Sequence, residues 1–185
     1  MTEGEDRPDL GGPDPATEIG RLFDSYAIPL HRYLARRIGG EQAHDLVSET
    51  FLVALHQRRD YDPGRGAVRS WLFGIATNLL RRHVRQETRR LRATARAEVR
   101  AATAEPALDG RVAERVDAAV LAGRLAGALA RLSEGDRDVL LLTSWAGLDS
   151  NEVADALGIP VGTVRSRLHR VRTGLRATAP EGRDD

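Results

Sequence analysis

The residues that usually carry covalent or metal chemistry are missing or badly spaced in this chain. It has no cysteine, which removes thiolate catalysis, disulfides and Cys-bearing zinc sites. Its five histidines, His31, His44, His56, His83 and His169, form no HExxH repeat and no paired ligand spacing. There is no GxSxG nucleophile turn, a Walker A loop is impossible without lysine, and the DPGRG stretch at 62–66 lacks the dinucleotide-binding glycine pattern. What the sequence concentrates instead is guanidinium, since all 28 cationic side chains are arginine. Arginine presents a rigid fork of donors matched to phosphate and guanine edges, although a GC-rich coding sequence also favours it. The chemistry to expect is recognition of nucleic acid, with no catalytic residue, no metal and no cofactor.

The densest arrangement of this kind is NEVADALGIPVGTVRSRLHRVR, residues 151–172. At about 100° per residue, Val161, Val164, Leu168, Val171 and Leu175 fall on one stripe, which must be core. The opposite face carries Thr163, Ser166, His169, Arg170 and Thr173, with Arg165 and Arg172 on one flank and Arg167 on the other; no acid lies between Val161 and Pro180. The preceding short helix opens with Asp149 and Glu152 in capping-box spacing and stops at Gly158. Two helices around a Gly-containing break make a helix-turn-helix pattern, whose second helix enters the major groove. Thr163, Arg165, Ser166, His169, Arg170 and Arg172 are the candidate duplex contacts.

The stretch GLDSNEVADALGIPVGTVRSRLHRVRTGLR closely resembles the fourth domain of bacterial RNA polymerase sigma factors, especially the extracytoplasmic-function group of the sigma-70 superfamily. The resemblance implies that this helix reads the minus-35 promoter element, with base contacts from Arg165, Ser166, His169 and Arg170. Periodicity alone independently puts the last three on the exposed face and Arg165 beside it.

One helix-turn-helix would suit many regulators, so the amino-terminal half has to discriminate. On a helix from about Glu41, the core stripe is Ala43, Val47, Thr50, Phe51 and Ala54, which leaves Asp45, Glu49, Leu52 and His56 outside. Two acids around an exposed leucine suit protein docking, or simply a solvated acidic face. AHDLVSETFLVAL is similar to the sigma segment that grips the coiled coil of the polymerase β′ subunit, with Asp45, Leu46, Glu49, Thr50 and Phe51 in matching places and Ser48 replacing the Gln usual there; Asp45, Leu46, Glu49 and Thr50, with the exposed Leu52, are the candidate polymerase contacts. On the next helix Val68, Leu72, Ile75, Ala76 and Leu79 point inward, and Ser70, Gly74, Thr77, Asn78, Arg81 and Arg85 outward. RSWLFGIATNLLRRHVRQ resembles the sigma helix that binds the minus-10 element and captures a flipped base. That likeness implies roles for Asn78, Arg81 and Arg82, with the loop from Tyr61 to Arg69 forming a pocket and Arg65 and Arg69 touching backbone; Arg85 extends the cationic face. Only Tyr61, Trp71 and Phe73 are near for stacking, and Trp71 flanks the core stripe.

These sites imply an all-α chain of two small helical bundles joined by a linker. Residues 1–16 are expected to be a disordered acidic tail, 17–90 the first sigma-type domain, 91–116 a linker with helical tendency, 117–178 the helix-turn-helix domain and 179–185 a second tail. Helices are expected from Ile19 to Ile38, from Glu41 to Arg58, from Val68 to Val84 or beyond, from Ala118 to Leu132, from Glu134 to Trp145, from Asn151 to Leu157 and from Val161 to Ala177. Charge follows this division despite a net charge of +1: the first 18 residues hold six acids and one arginine, whereas 81–100 hold eight arginines and two acids. Nothing resembles a signal peptide or a membrane span, so a cytoplasmic protein without membrane insertion is expected. The implied partners are core RNA polymerase, through the β′ coiled coil and the β flap, promoter DNA and, as is common in the family, an anti-sigma factor. A helix-turn-helix regulator that never meets polymerase is the alternative. A coiled linker would span about 30 Å, whereas promoter elements two duplex turns apart need about 70 Å, so polymerase is expected to hold the domains apart.

Overall fold

The computed structural model describes residues 7–101, 127–129 and 131–177, with 94–101 described as helix only. Residues 1–6 and 179–185 of the expected tails, residue 178 of the expected second domain, linker residues 102–116 and most of the helix expected at Ala118 to Leu132 lie outside the described residues. Every regular element described is helical.

Helix α1 (Pro15–Ile38) begins where the Asp14 side chain accepts a hydrogen bond from the Thr17 amide at 3.2 Å, with Pro15 in the first turn, where a missing N–H costs nothing. Hydrogen bonding from Thr17 also holds the Asp14 carboxyl below its ordinary pKa. The helix stops at Gly39, whose φ of +85° suits a residue without Cβ, and α2 (Gly40–His56) leaves directly from it. The stripe Ile19, Leu22, Tyr26, Leu30, Tyr33 and Leu34 packs against Ala43, Leu46, Val47, Phe51 and Ala54 of α2. Each large apolar side chain buried in this way contributes about 1.5–3 kcal/mol. A 3-10 turn (Arg58–Asp60) and a loop lead to α3 (Val68–Ala101), which closes the bundle with Val68, Leu72, Phe73, Ala76 and Leu80. Tyr33 stands edge-on to Phe73 and its hydroxyl lies 3.0 Å from Thr77 Oγ1. Burial pushes the Tyr33 pKa up to about 12.

The second half contains α4 (Glu134–Ser144), α5 (Ser150–Leu157) and α6 (Val161–Arg176). Ser133 caps α4 by accepting from the Asp136 amide at 3.1 Å. The expected capping box opens α5: Asp149 Oδ1 accepts from the Glu152 amide at 2.9 Å, and Glu152 Oε2 accepts from the Asp149 amide at 2.8 Å. Gly158, in the left-handed region at φ +63°, ends α5 and sets the turn into α6. Val164, Leu168 and Val171 are buried, and Val161 and Leu175, at the two ends of the stripe, are half-buried.

Two features depart from the sequence-based expectations, and a third carries an expected helical tendency further. Residues 7–14 are placed rather than loose: Leu10 is 2% exposed and Arg7 Nη1 donates to the Pro63 carbonyl at 2.9 Å, so one apolar anchor outweighs a Gly/Pro-rich composition. Helix α3 runs on to Ala101, into the segment assigned to the linker, as its Arg/Ala/Glu content permits. The supposed outer residues Ser70, Gly74 and Thr77 are buried: α5 of the second half packs over Ser70 and Gly74, and Thr77 faces Tyr33 of α1. A single apolar cluster consequently runs from Leu10 through both bundles to Leu168.

Candidate nucleic-acid interface

The candidate duplex-reading face lies on α6. Its buried stripe turns Arg165, Ser166, His169, Arg170 and Arg172 to solvent, while Thr163 is half-buried. Ser166 Oγ donates to the Thr163 carbonyl at 3.0 Å, which leaves its oxygen free to accept. Arg170 Nη1 reaches both carboxylate oxygens of Asp136, at 3.1 and 3.0 Å, yet its side chain remains 67% exposed. Asp136 was not singled out as a site residue by sequence; its position in the first turn of α4 gave no sign that it meets α6. Arg167 is half-buried and lies against Gly135, where a Cβ would collide with the guanidinium, so it packs as much as it points outward.

The candidate minus-10 residues divide into two groups. Arg65, Asn78, Arg82 and Arg85 are exposed, and Arg85 Nε donates to the Arg81 carbonyl at 3.2 Å. Arg69 and Arg81 are instead engaged by the second half. Arg69 Nη1 lies 3.3 Å from Glu152 Oε1 and its Nη2 donates to the Ala146 carbonyl. Arg81 Nε donates to Asp138 Oδ2 at 2.7 Å and stands 3.4 Å from Glu134 Oε1. Arg37 completes this cluster, donating to Asp138 Oδ1 at 3.1 Å, and the Asp138 side chain is fully buried. Periodicity had no means of finding Asp138, an acid on the buried side of α4 whose two arginine partners come from the other bundle.

The loop before α3 does form a pocket, of about 200 Å³, lined among others by Tyr61, Arg65, Gly66, Ser70, Trp71 and Asp155. Its aromatic groups are committed to structure. Tyr61 is buried with its hydroxyl donating to the Gly66 carbonyl at 3.1 Å, and its ring stands 5.2 Å from that of Trp71, half-buried against the core. Ser70 Oγ, buried and lacking a hydrogen-bond partner, belongs to the same lining.

On α2, Asp45 and Glu49 are exposed and Leu52 is 57% exposed, as the helical wheel required. Leu46 and Thr50 are not surface residues. They sit on the core side with Ala43, Val47 and Ala54, and Thr50 Oγ1 donates to the Leu46 carbonyl at 2.6 Å. Both therefore support the ridge from beneath. Phe23 of α1, exposed and tilted 5.0 Å from the Phe51 ring, adds apolar surface that α2 alone did not reveal. Among the described residues, no helix is long and apolar enough to cross a membrane.

Residues 22–90 match the family model described as Sigma-70 region 2, and residues 122–175 match Sigma-70, region 4. The chain is 36% identical over 168 residues to the RNA polymerase sigma factor CnrH of Cupriavidus metallidurans, covering 86% of this chain and 85% of that protein. It is 36% identical over 162 residues to the ECF RNA polymerase sigma factor SigL of Mycobacterium tuberculosis, covering 86% and 88% respectively. Among solved structures, CnrH in complex with the cytosolic domain of CnrY aligns with a TM-score of 0.62 at 27% identity, over 94% of this chain and 96% of that one. The sigma factor RpoE in complex with the anti-sigma factor NepR, from Bartonella quintana, shares the fold at 20% identity, with a TM-score of 0.61 over 91% of this chain and 100% of that one.

Proposed function

The chain belongs to the ECF group of the sigma-70 family of RNA polymerase sigma factors, and we propose from that premise how its surfaces divide the work of promoter recognition. As a sigma factor it directs core polymerase to promoters. In our assignment Arg165, Ser166, His169, Arg170 and Arg172, with Thr163 at the margin, read the minus-35 duplex. Arg65, Arg69, Asn78, Arg81, Arg82 and Arg85 hold the minus-10 strand around the loop pocket. The ridge of Asp45, Glu49 and Leu52 seats on the β′ coiled coil, and the second domain on the β flap. The domains assigned are 17–90 and 117–178, with 91–116 between them. The protein acts in the cytoplasm, performs no catalysis of its own, and is held in check by an anti-sigma factor that covers these faces.

The observation that carries the assignment is α6, where a buried apolar stripe leaves one continuous acid-free face of Arg, Ser and His for DNA. Arginine on such a face can make bidentate contacts to guanine and charge-assisted bonds to phosphate. The discriminating experiment is retention of the chain on immobilised core polymerase. The wild-type protein is expected to be retained, and the double variant Asp45→Arg, Glu49→Arg is expected to lose retention while still binding minus-35 duplex. A wild-type chain that binds duplex but never core polymerase would instead be the helix-turn-helix regulator.

A further inference from the structure

The amino-terminal strap, residues 7–14, reaches the loop before α3, and what it holds there is one peptide group. Residues 62–65 form a turn in which the Arg65 amide donates to the Asp62 carbonyl at 3.0 Å, with Pro63 and Gly64 at its centre. A Pro-Gly centre suits two turn types that differ by a flip of the peptide between them, and the type II form needs positive φ at the glycine. Among the described residues positive φ at glycine is confined to Gly39, Gly147 and Gly158, so the type II orientation is not the one adopted. Both polar ends of the central peptide are taken. Its N–H, on Gly64, donates to Asp62 Oδ1 at 2.8 Å, and its carbonyl, on Pro63, accepts from Arg7 Nη1 at 2.9 Å. We infer that the strap is a positioning element for the minus-10 strand: Arg7, together with Asp62, fixes the Pro63–Gly64 peptide and so aims Arg65, the next residue in the loop. The inference rests on the proposed minus-10 assignment and adds to it a residue far upstream of the loop in sequence.

A hydrogen bond from an exposed arginine is ordinarily weak, because water competes for both partners. Here the backbone that carries the arginine is already fixed. Leu10, three residues on, is buried in the apolar cluster, the Asp9 side chain accepts from the Gly11 amide at 2.9 Å, and Asp14 caps α1. Arg7 therefore gives up only side-chain freedom when it reaches Pro63. The other side of the contact is adjustable: residues 62–65 are all exposed, so no packing of their own opposes the flip. In the flipped turn the Pro63 carbonyl would face away from Arg7 and the Gly64 N–H away from Asp62, and both bonds would be lost. Arg65 lines the loop pocket from the end of this turn, so the orientation that Arg7 selects is the one in which that lining is assembled.

The test uses the full chain bound to core polymerase, with core polymerase alone as the baseline. The probe is a fluorescent single-stranded oligonucleotide pool of randomised sequence, read by anisotropy and by sequencing of the bound fraction. Arg7→Ala is expected to weaken binding about threefold and to blur the selected motif, with minus-35 duplex binding and polymerase retention unchanged. Gly64→Ala supplies the decisive background. Its Cβ disfavours positive φ and would meet Asp62 Oδ1 at 3.1 Å, a contact that the exposed Asp62 side chain relieves by a small shift. With the flip suppressed in this way, Arg7→Ala should cost nothing further, and the salt dependence of binding should match that of the wild type. A loss that persists in the Gly64→Ala background, with a salt slope lower by roughly 0.7, would mean that Arg7 touches phosphate itself, and would overturn the inference. Unchanged binding by Arg7→Ala in a series where Arg65→Ala does weaken it also overturns the inference and leaves the minus-10 assignment standing. If the wild-type complex binds the pool no better than core polymerase alone, the minus-10 assignment fails and takes the strap's role with it.

Discussion

Arg170 illustrates what a single residue owes to its surroundings. Its guanidinium is exposed enough to reach a base edge, and the Asp136 carboxylate narrows the orientations it samples beforehand. Arg170→Ala is therefore expected to lower discrimination between minus-35 sequences by about 1–3 kcal/mol, measured by competition binding, with core polymerase retention unchanged. Asp136→Asn should act in the same direction but more weakly, since it loosens the arginine without removing it. The exposure of Ser166, His169 and Asn78 was legible in the sequence because each lies opposite an unbroken apolar stripe. Thr50 and Leu46 show the opposite case: family likeness put them at the polymerase contact, whereas the register of α2 places both under the surface, and for Thr50 the helical wheel alone had said so. The Arg170–Asp136 pair, 34 residues apart, was illegible because nothing local marks which acid a distant arginine will meet.

At the scale of elements, helix ends were the clearest text. Asp149, Glu152 and Gly158 announce α5 through side-chain and backbone chemistry that acts within a few residues, and all three do as expected. Asp149→Ala should cost about 1 kcal/mol of stability, visible as a lower urea midpoint with an unchanged slope. Glu152→Gln retains a side chain able to close the capping box but loses the charge that faces Arg69; with both groups partly exposed, the change in stability should stay within about 1 kcal/mol. Leu168→Ala, by contrast, opens a cavity beneath the DNA-facing helix and should cost about 2–5 kcal/mol, again read from the denaturation midpoint. What the sequence concealed was an anchor and an extent. Leu10 stands alone among Gly, Pro and Asp, so no periodicity reveals that it is buried, and α3 continues past the last residue that contributes to the apolar cluster.

For the whole molecule, the division into two helical bundles was readable from pattern, but their mutual packing was not. Ser70 and Gly74 look like a solvent face until α5 is laid on them, and small or hydroxylic residues serve such a contact as readily as a DNA surface. In this packing Arg69 and Arg81 are paired with acids of the second half, so both cationic faces are expected to meet one promoter only once polymerase separates the bundles. Run-off transcription with reconstituted core polymerase on a genomic promoter library tests this most directly. The account predicts transcripts that depend on the chain and begin downstream of two shared sequence elements about two duplex turns apart, with the upstream element degraded specifically by Arg170→Ala. Transcription indifferent to the chain, or start sites that share only one element and ignore Arg170→Ala, would contradict it.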